Sequence, residues 1–300
     1  MKTKIAIGTW AYIFGPYFKK PISLPDTVKR LAELKFDGLE LCGFRPHGHP
    51  DDYPTPDSRK KLKDMIASAG LGIAGLAGDF EGQNPATSKR GAYEKVFRKQ
   101  LKFCTDLGIK KIRVDTVSPP PLPAGMDYAA ALKAVSRTWR CCAGMAQREG
   151  VLMTWEFEPG FAFNKPSDIV KMLDAVDHPN FKVMFDTCHA HMCSVVAARQ
   201  APPPERLRGG AVEFAKMLKG KIGHVHLIDS DNTLHDNETS THAPFGDGVL
   251  DFDELMPAIL EAGYTDEWWV IDLCFWGRAW EVTARCQKFV EKLREKHGNQ

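Results

Sequence analysis

Two glutamates with one residue between them, Glu156 and Glu158, and two histidines with the same spacing, His224 and His226, carry the clearest chemical signal in this chain. Side chains two apart in a β-strand share a face, so each pair points one way if its segment is a strand. Asp186 and Asp272 close two more apolar runs, KVMFD and WWVID, and His189 follows Asp186 by three residues. Carboxylates mixed with imidazoles make an oxygen and nitrogen donor set. That set suits a divalent cation such as Mn²⁺, with Mg²⁺, Co²⁺ and Zn²⁺ as alternatives. A single histidine on an apolar strand is more often a hydrogen-bonded core residue than a ligand. The argument for a site is recurrence on four consecutive apolar segments, because a buried carboxylate without a partner or a metal is costly.

Such residues need a scaffold that brings strand ends together. KIAIGTW and GLEL read as the first two strands, the segment from Leu71 to Gly78 as the third and that from Lys111 to Asp115 as the fourth. The segments VLMTWEFEPG, KVMFD, KIGHVHLID and the run from Trp268 to Leu273 follow as strands five to eight. Between them, apolar residues recur at the helical period. The spacing predicts helices at DTVKRLAELKF, Ser58 to Ala69 ahead of Gly70, Lys89 to Leu107 ahead of Gly108, Tyr128 to Arg148 and Ser167 to Val176. Further helices are predicted over Glu205 to Leu218, Asp253 to Ala262 ahead of Gly263, and Ala279 to Lys296. Ser230 to Leu250 reads as a long loop holding His235, Asp236 and His242. Strands alternating with helices imply parallel pairing, and eight such units without a linker predict one domain over 1–300, a closed (β/α)₈ TIM barrel. A doubly wound open sheet is the alternative, but no GxGxxG follows the first strand. In a parallel barrel, chemistry collects at the carboxyl ends of the strands.

Composition narrows the function classes. The 300 residues are 43% hydrophobic and 26% charged, and 40 basic against 38 acidic residues give a formal charge of +2. No global field therefore draws the chain to nucleic acid or to an anionic membrane. No apolar run approaches the ~20 residues that span a bilayer, and the start lacks a secretory apolar region. These features predict a cytoplasmic protein. The eight cysteines are scattered without a CxxC pair and read as reduced, mostly packed thiols. Cys188 and Cys193 flank His189 and His191, but that spacing is not a closed zinc pattern. Nucleophile-elbow, P-loop and Ser-His-Asp patterns are absent.

Weaker candidates surround the main set. Glu40 is a polar residue in an otherwise apolar strand. Asp115 and Thr116 close the fourth strand and read as substrate contacts or as a turn. Trp10, Phe14 and Trp276 are candidate walls for a sugar ring, while the rings of Trp268 and Trp269 are expected on opposite sides of the last strand.

The segments EFEPGFAFNKPSDI, FDTCH, HVHLID, PFGDGVLDFDEL and VIDLCFW, in this order, resemble the signature segments of the xylose isomerase-like sugar isomerase and epimerase superfamily. The resemblance runs over essentially the whole chain and implies a metal-dependent barrel. Carried over residue by residue, it implies that Glu156, Asp186, His226 and Asp272 bind one divalent ion. Pro159 and Gly160 match the family's spacing from Glu156, which leaves Glu158 as a substrate or acid-base group. His189 is implied at the substrate hydroxyls, and Glu40, Trp10, His224, His242 and Trp276 are the further substrate-contact candidates. The chemistry implied is proton abstraction beside a carbonyl through an enediolate, with Glu156 and Asp272 serving the two faces of a small carbohydrate. A homo-oligomer is expected. The alternative is a lyase that cleaves 3-oxo-C-glycosides by elimination, assembled with a small β-rich subunit. Endonuclease IV-like phosphodiester cleavage would need more histidines and a basic face. A degenerate, non-catalytic scaffold would bind no metal.

Overall fold

The computed structural model describes residues 2–115, 122 and 127–298; Thr116 and most of the proline-rich loop after it lie outside the described residues. The barrel strands are β1 (Lys4–Ile7), β2 (Gly38–Cys42), β3 (Gly72–Ala77), β4 (Lys111–Val114), β5 (Leu152–Glu156), β6 (Phe181–Asp186), β7 (Ile222–Leu227) and, after a hairpin, β10 (Trp268–Ile271). They form one parallel sheet in the order β1-β10-β7-β6-β5-β4-β3-β2. A parallel bridge between Gly8 and Glu40 joins the two ends, so the sheet closes into the TIM barrel that the alternation predicts.

Helices α1 (Leu24–Glu33), α2 (Pro56–Ser68), α3 (Arg90–Leu107), α4 (Tyr128–Arg148), α5 (Pro166–Val176), α7 (Gly210–Met217), α8 (Phe252–Glu261) and α9 (Ala279–His297) connect the strands. Local chemistry sets their ends. The Thr55 and Ser58 side chains cap α2 reciprocally, and α3 stops at Gly108, whose φ of +78° is the left-handed cap. α7 begins later than the sequence reading, at the Gly209-Gly210 step, where Gly210 has a left-handed φ of +56°.

Alternation along β10 separates its two tryptophans as expected. Trp269 joins the large core between sheet and helices, whereas Trp268 packs with Ala6, Ala74 and Val270 inside the barrel. Its ring occupies space that Gly38 leaves free, since a Cβ there would lie 2.6 Å from the ring. Trp268→Ala is expected to cost about 3–5 kcal/mol, read from urea unfolding, because the closed barrel cannot collapse into the cavity left behind.

The segment expected as a long loop after β7 contains an antiparallel hairpin, β8 (Asp229–His235) and β9 (Thr239–Ala243). Asp236 and Asn237 turn it with φ of +50° and +58°, the left-handed pair that Asp and Asn tolerate. Among the described residues, no helix is long and apolar enough to cross a membrane.

Candidate active site

Each main candidate sits where a barrel strand ends. Glu156 and Asp186 are the last residues of β5 and β6, His226 is the penultimate residue of β7, and Asp272 directly follows β10. Strand register places Asp186 beside His226. One donor atom each from Glu156, Asp186, His226 and Asp272 lies within 4.8 Å of the others, and all four residues are buried. His226 Nδ1 is 3.0 Å from Glu156 Oε1 and 3.3 Å from Asp272 Oδ2. The fold thus brings these four side chains together.

The second oxygens of these carboxylates are anchored. Asp272 Oδ1 accepts the Trp10 indole N–H at 2.7 Å and the Cys274 backbone N–H at 2.8 Å. Glu156 Oε2 accepts from Arg113 Nε, and Arg113 also pairs with Asp115 at 3.1 Å. Asp186 Oδ1 accepts the His189 backbone N–H at 2.7 Å and caps the short helix α6 (Thr187–His191). The three-residue spacing of Asp186 and His189 is therefore first a helix cap, which turns the His189 ring into the cavity.

Five of the remaining atoms test whether a cation fits. Glu156 Oε1, Asp186 Oδ2, His226 Nδ1 and both ring nitrogens of His242 are buried and make no hydrogen bond among the described residues. Unmade hydrogen bonds at buried carboxylates are expensive. Three converging carboxylates and an imidazole, with an unpaired atom on Glu156, Asp186 and His226, are a donor set for a hard or borderline divalent ion. A second grouping, Asp186, Cys188 and His242, shares Asp186 with the first, and the Cys188 thiol is 3.3 Å from the Thr241 carbonyl.

Above the four-residue cluster opens a cavity of about 450 Å³, lined by Trp10, Phe14, Arg113, Asp115, Glu156, Glu158, His189, His242 and Asp272. Glu158 lies two residues past Glu156, beyond the end of β5 and outside the cluster, with Oε2 accepting from Thr239 and 3.7 Å from His189 Nε2. His189 Nδ1 is 2.8 Å from Ser240 Oγ. Asp229 organises the chain behind the hairpin by accepting the N–H groups of Gly246, Gly248 and Leu250 at 3.0, 3.2 and 2.9 Å. The hairpin brings His242 Nδ1 to 3.3 Å from Asp272.

Electrostatics divides the groups. Burial raises the Glu156 carboxyl, but the Arg113 guanidinium and His226 outweigh it and hold the group down at about 2. Asp272 is likewise held well below its usual range, with His242 and His226 overcoming burial. Burial, reinforced by the negative charge of Glu156, pushes Glu158 up to about 8. His189 is lowered to about 3 by burial and the neighbouring His242. Asp272 and Asp186 raise His242 to about 9 although burial opposes them. Glu158 is thus a neutral acid at pH 7, beside ionised Glu156 and Asp272.

Three expected substrate contacts need correction. Glu40 and His224 are completely buried below the cavity and bonded to each other at 2.7 Å, so neither is among the lining residues. Trp276 packs against the outer core, and its neighbour Phe275 takes the cavity wall. A left-handed φ of +60° at Phe275 breaks the strand alternation there. His191 sits outside the cavity and bonds Asn232 at 2.6 Å, and the His235 ring stacks on Phe275 at 4.6 Å. Cys193 is buried, and all eight cysteines are free thiols. Arg113, Phe44, Phe161 and Arg199 line the cavity without having been singled out from the sequence. Arg113 was legible, since Lys111, Arg113 and Asp115 share one strand face.

Carboxylates and an imidazole thus gather at the carboxyl ends of the strands of a closed parallel barrel. The chain belongs to the xylose isomerase-like TIM barrel family, whose model matches residues 28–289. It is similar to fructoselysine 3-epimerase from Shigella flexneri, 23% identical over 248 residues that cover 78% of this chain and 79% of the relative. Hydroxypyruvate isomerase from Escherichia coli K12 is 24% identical over 242 residues, 77% of this chain and 83% of the relative. Among solved structures, D-psicose 3-epimerase from Clostridium cellulolyticum H10 superposes with a TM-score of 0.73 at 16% identity, covering 98% of this chain and 99% of that one.

Proposed function

We propose that this chain is a divalent-metal-dependent sugar isomerase or epimerase that moves a proton at a carbon next to a carbonyl. The observation that carries this reading is the convergence of Glu156, Asp186, His226 and Asp272, with unpaired buried donor atoms, on the floor of a cavity that holds a further carboxyl group. The relatives named as 3-epimerases and an isomerase support it. Glu156, Asp186, His226 and Asp272 would hold the ion, with Mn²⁺ the expected metal. When bound, it supplies Lewis-acid polarisation that makes the C–H beside the carbonyl more acidic.

The chain's own residues do the rest. Arg113 on one carboxylate, and the Trp10 and Cys274 N–H groups on the other, fix Glu156 and Asp272 by one oxygen each. Both are thus preorganised to take and return a proton on the two faces of the substrate carbon. Glu158 keeps its proton at neutral pH and donates to a substrate oxygen, and the neutral His189 ring contacts a hydroxyl. The half-buried rings of Phe14, Phe44 and Phe275 exclude water and cover the apolar face of a sugar.

A second reading rests on His242, which the hairpin delivers to Asp272. An imidazolium there can protonate a leaving group, and the same proton abstraction from a 3-oxo-glycoside then ends in elimination.

The test is solvent exchange. Metal-loaded protein in D₂O, offered a panel of ketoses and 3-oxo-glucosides, is expected to return sugar deuterated at the carbon beside the carbonyl. Release of aglycone in place of labelled sugar selects the lyase. Neither exchange nor release from any member of the panel sinks both readings.

A further inference from the structure

Glu40 stands on β2, yet its side chain reaches across the barrel interior to β7. Its Oε2 lies 2.7 Å from His224 Nε2 and 3.2 Å from His226 Nε2. A carboxylate only accepts hydrogen bonds, so both imidazoles must carry their proton on Nε2. Nδ1 is then the nitrogen left to face other partners. For His226, that nitrogen is the atom 3.0 Å from Glu156 Oε1 and 3.3 Å from Asp272 Oδ2. Two carboxylate oxygens facing that nitrogen call for a positive partner between them, and a bound cation takes the place of the second ring proton that otherwise meets them.

The barrel makes room for this carboxyl group. Gly75 on β3 faces it, and a Cβ there would come within 3.3 Å of Glu40 Oε1. A buried carboxylate is costly unless donors meet it. His224 provides the second donor, which explains a fully buried histidine beside His226 and below the cavity.

We propose that Glu40 is a positioning residue: it locks the tautomer and the orientation of His226, so that Nδ1 is presented to the cation-binding cluster before any ion arrives. The proposal rests on the reading that Glu156, Asp186, His226 and Asp272 hold a divalent cation. His224 is the brace that keeps Glu40 in place.

Mn²⁺ titration calorimetry of chelator-stripped protein tests it. Outer partners of a ligating histidine typically set roughly 10- to 100-fold in metal affinity, and Glu40→Gln is expected to lose that much, with kcat returning toward wild type once Mn²⁺ is saturating. ¹⁵N NMR of the metal-free protein gives a second readout. Once the ring is made neutral at high pH, His226 is expected as the Nε2–H tautomer in wild type and as a mixture in Glu40→Gln. Should that variant fail to fold, Glu40→Asp keeps the charge, withdraws it from His226 and is expected to change both readouts in the same direction. Unchanged affinity together with an unchanged His226 tautomer overturns the role of Glu40 alone. Wild-type protein that takes up no Mn²⁺ overturns the metal reading, and this proposal with it.

Discussion

Glu156→Gln is expected to strip the divalent ion and abolish turnover, whereas Glu158→Gln leaves the ion bound and lowers kcat. Glu156 is the member of the pair inside the four-residue cluster, with Oε1 toward His226 and Oε2 on Arg113. The amide keeps the shape but loses the charge that both the cation and Arg113 require. A positioned general base typically contributes ~10²–10⁴-fold, and loss of the ion adds to that, so kcat/KM should fall by at least the upper end of this range. Stability should fall as well. Breaking a buried ion pair costs about 3–5 kcal/mol when the surviving charge is stranded. Arg113 retains Asp115 at 3.1 Å and some solvent access, which places the expected loss below that range. Glu158 bonds Thr239 and approaches His189, outside the cluster. Its amide should therefore retain stoichiometric metal by elemental analysis. If Glu158→Gln loses the ion and Glu156→Gln keeps it, the two assignments must be exchanged.

The same pair shows how far the sequence could be read. Period-two alternation orients Glu156, Glu158, His224 and His226 toward one barrel face without any knowledge of the fold, because pleating alone decides it. The rule says which face, but not how deep along the barrel axis. His224 sits one layer below His226, and only the closed barrel shows that Glu40, far away in sequence, completes that layer. The rule also fails where a strand ends. Trp276 would face the cavity if β10 continued, but the left-handed turn at Phe275 reverses the pattern and puts Phe275 on the wall. The hairpin after β7 was written in Asp236-Asn237 between Thr-containing segments, a turn signal outweighed by the length and polarity of the stretch. His242 owes its place beside Asp272 to that hairpin.

Removing the ion is expected to destabilise the protein as well as inactivate it. Glu156 Oε1, Asp186 Oδ2 and His226 Nδ1 are buried in this site without a hydrogen bond, and leaving them unmet favours any state that returns them to water. An ion present at 100 times its Kd stabilises the folded state by about 2.7 kcal/mol. For a chain of this length that is a rise in Tm of roughly 4 °C. Calorimetric scans with Mn²⁺ and with excess chelator measure it, and the rise should grow with the logarithm of ion concentration. Asp186→Asn gives the same argument a sign that a general structural role would not. The asparagine still accepts the His189 N–H and caps α6. Burial and the negative charge of Asp272 push the Asp186 carboxyl up to about 7, so above that pH the asparagine removes a disfavoured charge and the metal-free variant should melt above metal-free wild type. It also removes a ligand, so with Mn²⁺ the order should reverse. A variant that melts below wild type in both conditions by the same margin would show that Asp186 serves the helix cap and not the cation.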